Sequence, residues 1–466
     1  MSPYIESAGP ARRVLAYLYC EKAKKMKLKL ASLAIAALFA GTSASAADLL
    51  DVYHDAQAQD PVFASARYAF EAAREGVPQS RATNLLPALS LAYSYTRNTQ
   101  DTEGAPKLDY NAHSYTLTLT QPLFRLQNWI AFTQSELVFK QAEAAFADAQ
   151  QSLITRAAQA YFDVLLAQDN VDLSAAQKKA LSEQLAQAKR NFEVGTATIV
   201  DTYDAQARYD LSVAKEISDQ NDLQIKKQAL QQLLGKPPST LAVLRDSVAL
   251  PTPNPPDMEQ WVRAADEASP VIAQSRANFE FADKDVSRNK AGHLPTLDLT
   301  GTYRNSSSPA ISGLGTLLGS DIISKNTQLG LTLTIPLYQG GGTQSRIRQA
   351  LSNKDKAEQD LENTKRTVEQ TVRQAFVGVN SGVAQVKALE ASLVSSKSSL
   401  DSTILGREVG VRTNVDILNA QQQLFQTRRD LQQARYNTIL SQLKLKSATG
   451  RLQEDDLAEV NRLLQK

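Results

Sequence analysis

Apolar residues recur with two alternating periods along this chain. At about 88–97, and again at 114–123, 297–305 and 327–337, apolar and polar side chains alternate, as Leu89 does with Ser90. A period of two predicts β-strands with one apolar and one polar face. Taken singly, each run also fits an ordinary half-exposed sheet. The residues between the runs follow a period near 3.6, which predicts helices.

Proline and glycine delimit very long helices. Residues 123–234 contain no proline and a single glycine, Gly195, and no proline follows Pro336. Because both residues interrupt helices, long uninterrupted helices are predicted. At about 1.5 Å per residue the longest reach roughly 100 Å, which fits the wall of a tunnel. The predicted helices span about 49–81, 124–192, 199–233, 257–290, 343–407 and 415–448.

An internal repeat of roughly 210 residues organises the chain. The segment 86–91 (LPALSL) recurs at 294–299 as LPTLDL, and 117–124 recurs at 331–338. Each half follows the order helix, two strands, helix, turn, helix. The predicted division is a signal peptide at 1–46, a first repeat at 47–250 and a second repeat at 251–466.

Residues 1–46 have the parts of a secretory signal. A basic stretch precedes an apolar run at 30–40 and the sequence Ala44-Ser45-Ala46, and Met26 is an alternative start. As a membrane anchor the apolar run is too short for the roughly 20 residues that span a bilayer. The single cysteine, Cys20, lies in this segment. A mature chain from residue 47 therefore has no disulfide and no cysteine metal site.

No signal for catalysis, metal binding or nucleic-acid binding stands out. The three histidines, His54, His113 and His293, show no helical ligand spacing, and there is no phosphate loop or nucleophile elbow. Beyond residue 46 the chain has 44 basic and 47 acidic residues, without a basic patch. The chain is predicted to be neither an enzyme nor a cofactor protein.

Four strands cannot close a barrel by themselves. An open strand edge is not tolerated in lipid, so several copies must pool their strands. Three copies give twelve strands and room for a lumen, whereas two give eight strands with a filled interior. The predicted fold class is therefore an α+β membrane protein, with a trimeric twelve-stranded β-barrel continued by a long α-helical coiled-coil tunnel.

Three segments resemble the TolC family of outer-membrane efflux ducts. They are 292–300 (GHLPTLDLT), 336–341 (PLYQGG) and 409–418 (VGVRTNVDIL), and the likeness runs through residues 47–464 in the same order. The resemblance implies a homotrimer in the outer membrane of a Gram-negative cell, with helices crossing the periplasm. It also implies a periplasmic adaptor and an inner-membrane pump as partners, in multidrug efflux and type I secretion.

The resemblance places a gate at the two helical turns. Asp201 and Arg412 match family residues that tether neighbouring coils, while Arg407 replaces a gate tyrosine. Asp416 matches one aspartate of a cation-attracting entrance ring, and Asn419 replaces the second, which halves the charge of the ring. From the residues alone, a solvated surface pair worth under about 1 kcal/mol is the better interpretation, and the resemblance favours the gate.

Two further groups of residues are expected to face partners. Gly195 and Gly410 mark the helix-turn tips at which an adaptor would dock. Phe124, Trp129 and Tyr338 lie where strands pass into helices, which suits an aromatic girdle against outer-membrane lipid as well as core packing. The alternative to an export duct is a soluble periplasmic coiled-coil scaffold or adaptor without a pore.

Overall fold

The computed structural model describes residues 46–465 apart from 102, 105–106, 246–247, 249 and 310–320. Residues 1–45 of the predicted signal peptide, which include Met26 and Cys20, lie outside the described residues. The division of the remaining chain at residue 250 stays a prediction.

Long helices make up most of the described chain. The two longest have 68 and 67 residues, and their bounds differ from the predicted ones by one or two positions. No helix in the described part of the chain is long and apolar enough to cross a membrane. In chain order the helices are α1 (Leu49–Gln59), α2 (Pro61–Leu85), α3 (Leu126–Glu193), α4 (Ile199–Leu234), α5 (Met258–Ala268), α6 (Pro270–Lys290), α7 (Gly342–Glu408), α8 (Asn414–Ala448) and α9 (Glu454–Asn461).

The first helix of each repeat, predicted to be continuous at 49–81 and at 257–290, is broken into two helices. The first breaks between α1 and α2 at Asp60-Pro61, and the second between α5 and α6 at Ser269-Pro270. Proline lacks an N–H and disfavours helical geometry in the residue before it. Asp60 and Ser269 are accordingly extended, and each proline begins the next helix.

The four predicted strands form one antiparallel sheet. In chain order the strands are β1 (Ala88–Gln100), β2 (Leu108–Phe124), β3 (Val243–Leu244), β4 (Thr296–Pro309), β5 (Asp321–Thr334) and β6 (Leu464–Gln465). The spatial order of the four long strands is β1, β2, β4, β5, so that the second hairpin continues the first. The strands have 13 to 17 residues and outrun the predicted lengths of about ten, because pairing continues where the apolar alternation fades. The fourth strand ends earlier than predicted, two residues before Pro336. The short strands β3 and β6 pair separately with each other.

The main hydrophobic core lies midway along the helices. There α1, α9 and the β3–β6 pair pack against α3, α4 and α8, burying Tyr161, Leu230 and Ile439 completely. The hydroxyl of Tyr161 donates to the carbonyl oxygen of Ala242 at 2.7 Å. This core joins the two ends of the described chain, and it leaves the sheet at one end of the helices and the helical turns at the other.

Smaller apolar seams continue from the core towards the turns. Ile417, Leu424 and Leu431, spaced seven residues apart on α8, are all buried. A spacing of seven residues is typical of a coiled-coil seam, and the burial of all three side chains fits such a seam.

Candidate gate at the helical turns

The first helical turn joins α3 to α4 through Gly195. The φ angle of Gly195 is +75°, a left-handed conformation that glycine adopts without a steric penalty. The amide of Gly195 donates to the carbonyl of Phe192 at 3.0 Å, and that of Thr196 donates to the carbonyl of Asn191 at 2.8 Å. This pair of hydrogen bonds is a Schellman motif, which satisfies the last carbonyls of α3.

The second turn, between α7 and α8, has the same geometry. Gly410 has a φ of +83° and donates to the carbonyl of Arg407 at 3.1 Å. The amide of Val411 donates to the carbonyl of Gly406 at 2.9 Å. Both predicted tips are therefore tight turns built on glycine, and Gly195 and Gly410 are both exposed.

Each returning helix starts with a capping box. The Asp201 carboxylate accepts from the amide of Thr198 at 3.0 Å and from its hydroxyl at 2.7 Å. The hydroxyl of Thr198 in turn accepts from the amide of Asp201 at 3.3 Å. The aspartate that the family resemblance assigns to the gate thus already caps α4 within its own chain.

Asp416 caps α8 in the same way, with an additional cation nearby. Its carboxylate accepts from the amide and the hydroxyl of Thr413, each at 2.9 Å. The amide hydrogen bond, the hydroxyl and the positive charge of Arg412 together hold the pKa of Asp416 below its ordinary value. Asp416 is consequently a carboxylate at neutral pH.

Arg412 is positioned by a glycine that sequence reasoning missed. Its side chain crosses α7 at Gly406, where an added Cβ would lie 2.8 Å from the Cγ of Arg412. Only a residue without a side chain leaves this path open. Within the described part of the chain neither Arg412 nor Arg407 forms an ion pair, so the predicted pairing of Asp201 with Arg412 is not made inside one chain.

Asp201 nevertheless faces the start of α8. A small cavity between the two helical hairpins is lined by Asp201 and Ala205 of α4 and by Asn414 and Ile417 of α8. The two turns therefore lie side by side at the same end of the molecule. Rearrangement of either hairpin would change the surroundings of Asp201.

Asn419 has a partner that the sequence did not indicate. Arg208 on α4 donates from Nη2 to Oδ1 of Asn419 at 3.0 Å and from Nη1 to Oε1 of Gln422 at 3.2 Å. Asp204 lies 3.7 Å from Nε of the same guanidinium. Arg208 thus links the two hairpins. No local pattern could have revealed a contact across more than 200 positions.

The three predicted interface aromatics lie at the opposite end. Phe124 ends β2, Trp129 lies in the first turns of α3, and Tyr338 precedes α7. All three are exposed in the single chain, Tyr338 to 87%. Their exposure fits a lipid-facing girdle better than core packing, and this role stays a prediction.

The same end of the molecule holds a partly buried junction between strand and helix. Arg125, between β2 and α3, donates from Nε and Nη2 to the two carboxylate oxygens of Asp298 on β4, at 2.7 and 2.6 Å. A bidentate pair of this kind fixes both distance and orientation. It ties the first hairpin to the second where the sheet meets the helices.

The sequence was compared with protein families and with known proteins. Residues 52–236 and 261–451 match the family of outer membrane efflux proteins. The chain belongs to the outer membrane efflux protein family. The outer membrane protein TolC of Vibrio cholerae is 35% identical to this family member over 424 residues, which cover 90% of the chain and 95% of that protein.

Two other similar proteins extend the comparison. The proteases secretion protein PrtF of Dickeya chrysanthemi is 30% identical over 449 residues, which cover 93% of this efflux-family chain and 95% of PrtF. The crystal structure of the Campylobacter jejuni CmeC outer membrane channel has a TM-score of 0.74 at 19% identity and covers 90% of each chain. At this low identity, the similarity to CmeC shows the fold alone.

Family membership confirms several predictions made from the sequence. The resemblance, the fold class of an outer-membrane channel, the location in the outer membrane with helices extending into the periplasm, and the role in efflux are all confirmed. The names of the similar proteins are those of channels and secretion proteins. The roles of individual residues at the turns are not tested by these similarities.

Proposed function

We propose that this efflux-family chain forms a homotrimeric exit duct, which serves tripartite efflux and type I secretion. Three copies would pool their strands into a twelve-stranded barrel, and their helices would form a tunnel across the periplasm. Drugs or proteins delivered by an inner-membrane pump would leave through this duct without a catalytic step. A periplasmic adaptor would dock at the tips around Gly195 and Gly410.

The observation that carries this proposal is the open four-stranded sheet. Leu89, Leu91, Leu329 and Leu331 project from one face, and all four are exposed. The other face carries small and polar residues such as Thr118 and Thr302. A sheet with an apolar outside and a polar inside suits a barrel wall between lipid and water, and the unpaired outer edges call for further copies.

The closed state of the duct is proposed to depend on the second turn. Three copies of Arg412 and Arg407 would meet near the tapered end of the tunnel, with Asp201 of a neighbouring coil as the counter-charge. Charge-assisted hydrogen bonds of this kind would hold the coils together. Opening would follow when the coils untwist and separate these groups.

The entrance is proposed to attract cations weakly. Asp416 contributes one carboxylate per copy, and its lowered pKa keeps it charged. Asn419 is neutral and is occupied by Arg208. Three converging carboxylates favour cations over anions in a narrow aqueous mouth, whereas tight binding of a metal ion would require more ligands.

Single-channel conductance in planar bilayers tests the proposal. The wild-type protein is expected to show a small, stable conductance, which rises in Arg412→Ala because the gate loses a cation. Arg366→Ala is the matched control. Arg366 is an exposed arginine of α7 that pairs with Glu362 one helical turn away, and its removal should leave the conductance unchanged.

Two other outcomes would count against the proposal. Folded, detergent-stable protein that conducts in neither form would reject the duct and favour the soluble scaffold. Conductance that rises equally in Arg412→Ala and Arg366→Ala would keep the duct and reject the gate.

A further inference from the structure

A cavity of about 220 Å³ lies where the first helical hairpin, formed by α3 and α4, meets α8 of the second. This volume is below the roughly 300–1,000 Å³ of sites that hold drug-sized ligands, so the cavity suits a small ligand. We call it the hairpin cavity. The residues that line it include Gln177 and Leu181 of α3, Arg208 and Lys215 of α4, and Gln421 and Arg429 of α8.

Three cations and no carboxylate are among the described residues that line the hairpin cavity. Two of these cations have a counter-charge nearby. Asp204 lies 3.7 Å from Nε of Arg208, and Nζ of Lys215 donates to Asp219 at 2.7 Å. Arg429 forms no ion pair within the part of the chain that the structure describes. One positive charge at the cavity is therefore left without a counter-charge.

The guanidinium of Arg429 is shielded from solvent in spite of this charge. Its Nε and Nη2 atoms are buried, and neither finds a hydrogen-bond acceptor among the described residues. Arginine keeps its proton in proteins, and a buried charge without a partner is costly. An anion that accepts from both N–H groups would remove this cost.

Another arginine of the chain shows what the same two atoms can bind. Nε and Nη2 of Arg125 donate side by side to the carboxylate of Asp298, at 2.7 and 2.6 Å. Two parallel hydrogen bonds of this kind give both strength and orientation. The corresponding edge of Arg429 therefore suits an oxyanion, which offers two acceptor oxygens.

The carboxylates on the other side of Arg429 already have donors. Asp169 and Asp172 line a second cavity, which Arg429 also borders. The hydroxyl of Tyr436 donates to Asp169 at 2.7 Å, and Nε2 of Gln168 donates to Asp172 at 3.1 Å. Neither carboxylate forms an ion pair with Arg429 in the described chain. The counter-charge for Arg429 therefore has to come from outside these residues.

Gln421 offers a further contact in the hairpin cavity. Its Oε1 is buried and has no hydrogen-bond partner among the described residues. A carboxamide can present either its NH2 donors or its carbonyl acceptor, because its two ends have nearly the same shape. Hydrogen phosphate carries both acceptor oxygens and an O–H donor, so either orientation of Gln421 suits it.

We propose that the hairpin cavity binds a small oxyanion of the phosphate class, held by the Nε and Nη2 edge of Arg429. Arg208 and Lys215 add positive charge from α4, and Gln421 adds a hydrogen bond. Free inorganic phosphate and a small phosphate monoester share this chemistry. Binding at this site does not depend on the proposed duct.

The bound anion links the two helical hairpins. Arg429 belongs to α8, whereas Arg208 and Lys215 belong to α4. Beside the cavity, Arg208 already joins the hairpins through its hydrogen bond to Asn419. A ligand that needs donors from both hairpins binds best while they lie together, and it therefore stabilises that arrangement. This consequence for the gate rests on the proposed function.

Equilibrium dialysis of radiolabelled inorganic phosphate against the purified protein in detergent tests the site. At constant ionic strength the wild type is expected to bind one ion per chain and to saturate. Arg429→Gln removes the charge and both donors, and it should weaken binding roughly 10–100-fold. Arg429→Lys keeps the charge without the paired donors, so its affinity should fall between the two.

Arg428→Gln is the matched control. Arg428 precedes Arg429 on α8, is exposed, and lies over the ring of Phe425 at 6.0 Å from its centroid. It is not among the residues that line the hairpin cavity. The substitution changes the net charge by the same amount as Arg429→Gln and should leave phosphate binding unchanged.

Thermal melting shows whether each variant folds and gives a second readout. Without phosphate, Arg429→Gln should melt at or above the temperature of the wild type, because it removes an unpaired buried charge. Phosphate should raise the melting temperature of the wild type and of Arg428→Gln, since a ligand that binds the folded state stabilises it. It should not raise that of Arg429→Gln.

Competition against the labelled phosphate distinguishes the two sources of the ligand. Stronger displacement by glycerol phosphate than by unlabelled phosphate assigns the site to a phosphate monoester, and weaker displacement assigns it to the free ion. Both outcomes support an oxyanion site. Displacement by chloride at the same ionic strength would show that charge alone is recognised, and it would overturn the phosphate class.

Three results would overturn the site itself. They are binding that does not saturate in the wild type, equal binding by the wild type and Arg429→Gln, and an equal loss in Arg428→Gln and Arg429→Gln. If a carboxylate of a neighbouring copy were the partner of Arg429, the wild type would show no saturable binding.

Single-channel recording tests the link between the hairpins. Replacing chloride by phosphate at equal ionic strength should lower the conductance of the wild type and of Arg428→Gln more than that of Arg429→Gln. Equal lowering in all three, despite phosphate binding in dialysis, would overturn the link. Absence of conductance from every form would reject the duct alone, because dialysis measures the site independently.

Discussion

The two helical turns share their backbone geometry and differ in their charges. Both end a long helix on a left-handed glycine, and both begin the returning helix with a Thr–Asp capping box. Yet Ala197 and Phe192 in the first turn stand where the second turn has Arg412 and Arg407. The glycine and the capping box, which the turn geometry requires, occur in both turns. Arg412 and Arg407, which the turn geometry does not require, occur in the second turn and have no counterpart in the first. This difference separates residues that shape a turn from residues that could gate a tunnel.

Replacing the turn glycines should have the largest effect, and an equal one in both turns. Gly195→Ala and Gly410→Ala each place a Cβ in a left-handed conformation, at a cost of about 1–2 kcal/mol. Hydrogen exchange of the adjacent helix ends should accelerate roughly 5–30-fold. Gly378→Ala is the control, since Gly378 is helical and the nearest atom to its added Cβ, Oγ of Ser441, is 3.9 Å away. Unequal effects at the two turns would break the equivalence.

Removing the helix caps should lower the stability of the turns somewhat less than replacing the turn glycines does. Thr198→Ala and Thr413→Ala each delete the hydroxyl that accepts from the first turn of the returning helix, at about 1 kcal/mol. Local hydrogen exchange at the starts of α4 and α8 measures the loss. Serine keeps the hydroxyl, so Thr198→Ser and Thr413→Ser should retain most of the protection. If serine were as damaging as alanine, capping would not be the role of these threonines.

Gly406→Ala should separate helix stability from gating. Alanine favours the helix by roughly 0.5–1 kcal/mol, but its Cβ would displace the side chain of Arg412. The expected result is an unchanged or higher melting temperature with a conductance between those of wild type and Arg412→Ala. Wild-type conductance in Gly406→Ala would show that the position of Arg412 over α7 does not matter to the gate.

The smallest effect is expected at Asn419. Asn419→Asp would pair with Arg208, an exposed contact worth roughly 0.2–1 kcal/mol, and this pairing would offset the new charge. Cation permeability from reversal potentials in a salt gradient should therefore change little. It should rise clearly when Arg208→Ala is added. An equal rise in the single and double variants would mean that Arg208 does not screen the entrance.

Local features of the fold were predictable from the residues. The starts and ends of α3, α4, α7 and α8 agree with the predictions within two positions, because helical periodicity and the glycines at 195 and 410 act over a few residues. Both turns were located in this way. The breaks at Pro61 and Pro270 could have been found too, since the residue before proline avoids helical geometry.

Contacts between distant residues were not predictable. The β3–β6 pair, the Arg208–Asn419 hydrogen bond and the Arg125–Asp298 ion pair each join positions more than 150 residues apart. Arg412 and Gly406 are close in sequence, yet their contact depends on how the turn folds back on α7. Such contacts follow from the packing of whole elements, which local propensity does not encode.

By itself, the sequence determined which segments are helix or strand, where each helix turns, and which face of each strand is apolar, because short-range geometry and side-chain periodicity decide these features. Tertiary structure alone decided which strand lies beside which, that Arg125 pairs with Asp298, and that Asn419 is held by Arg208. These outcomes depend on the approach of surfaces far apart in the chain, where many weak contacts act together.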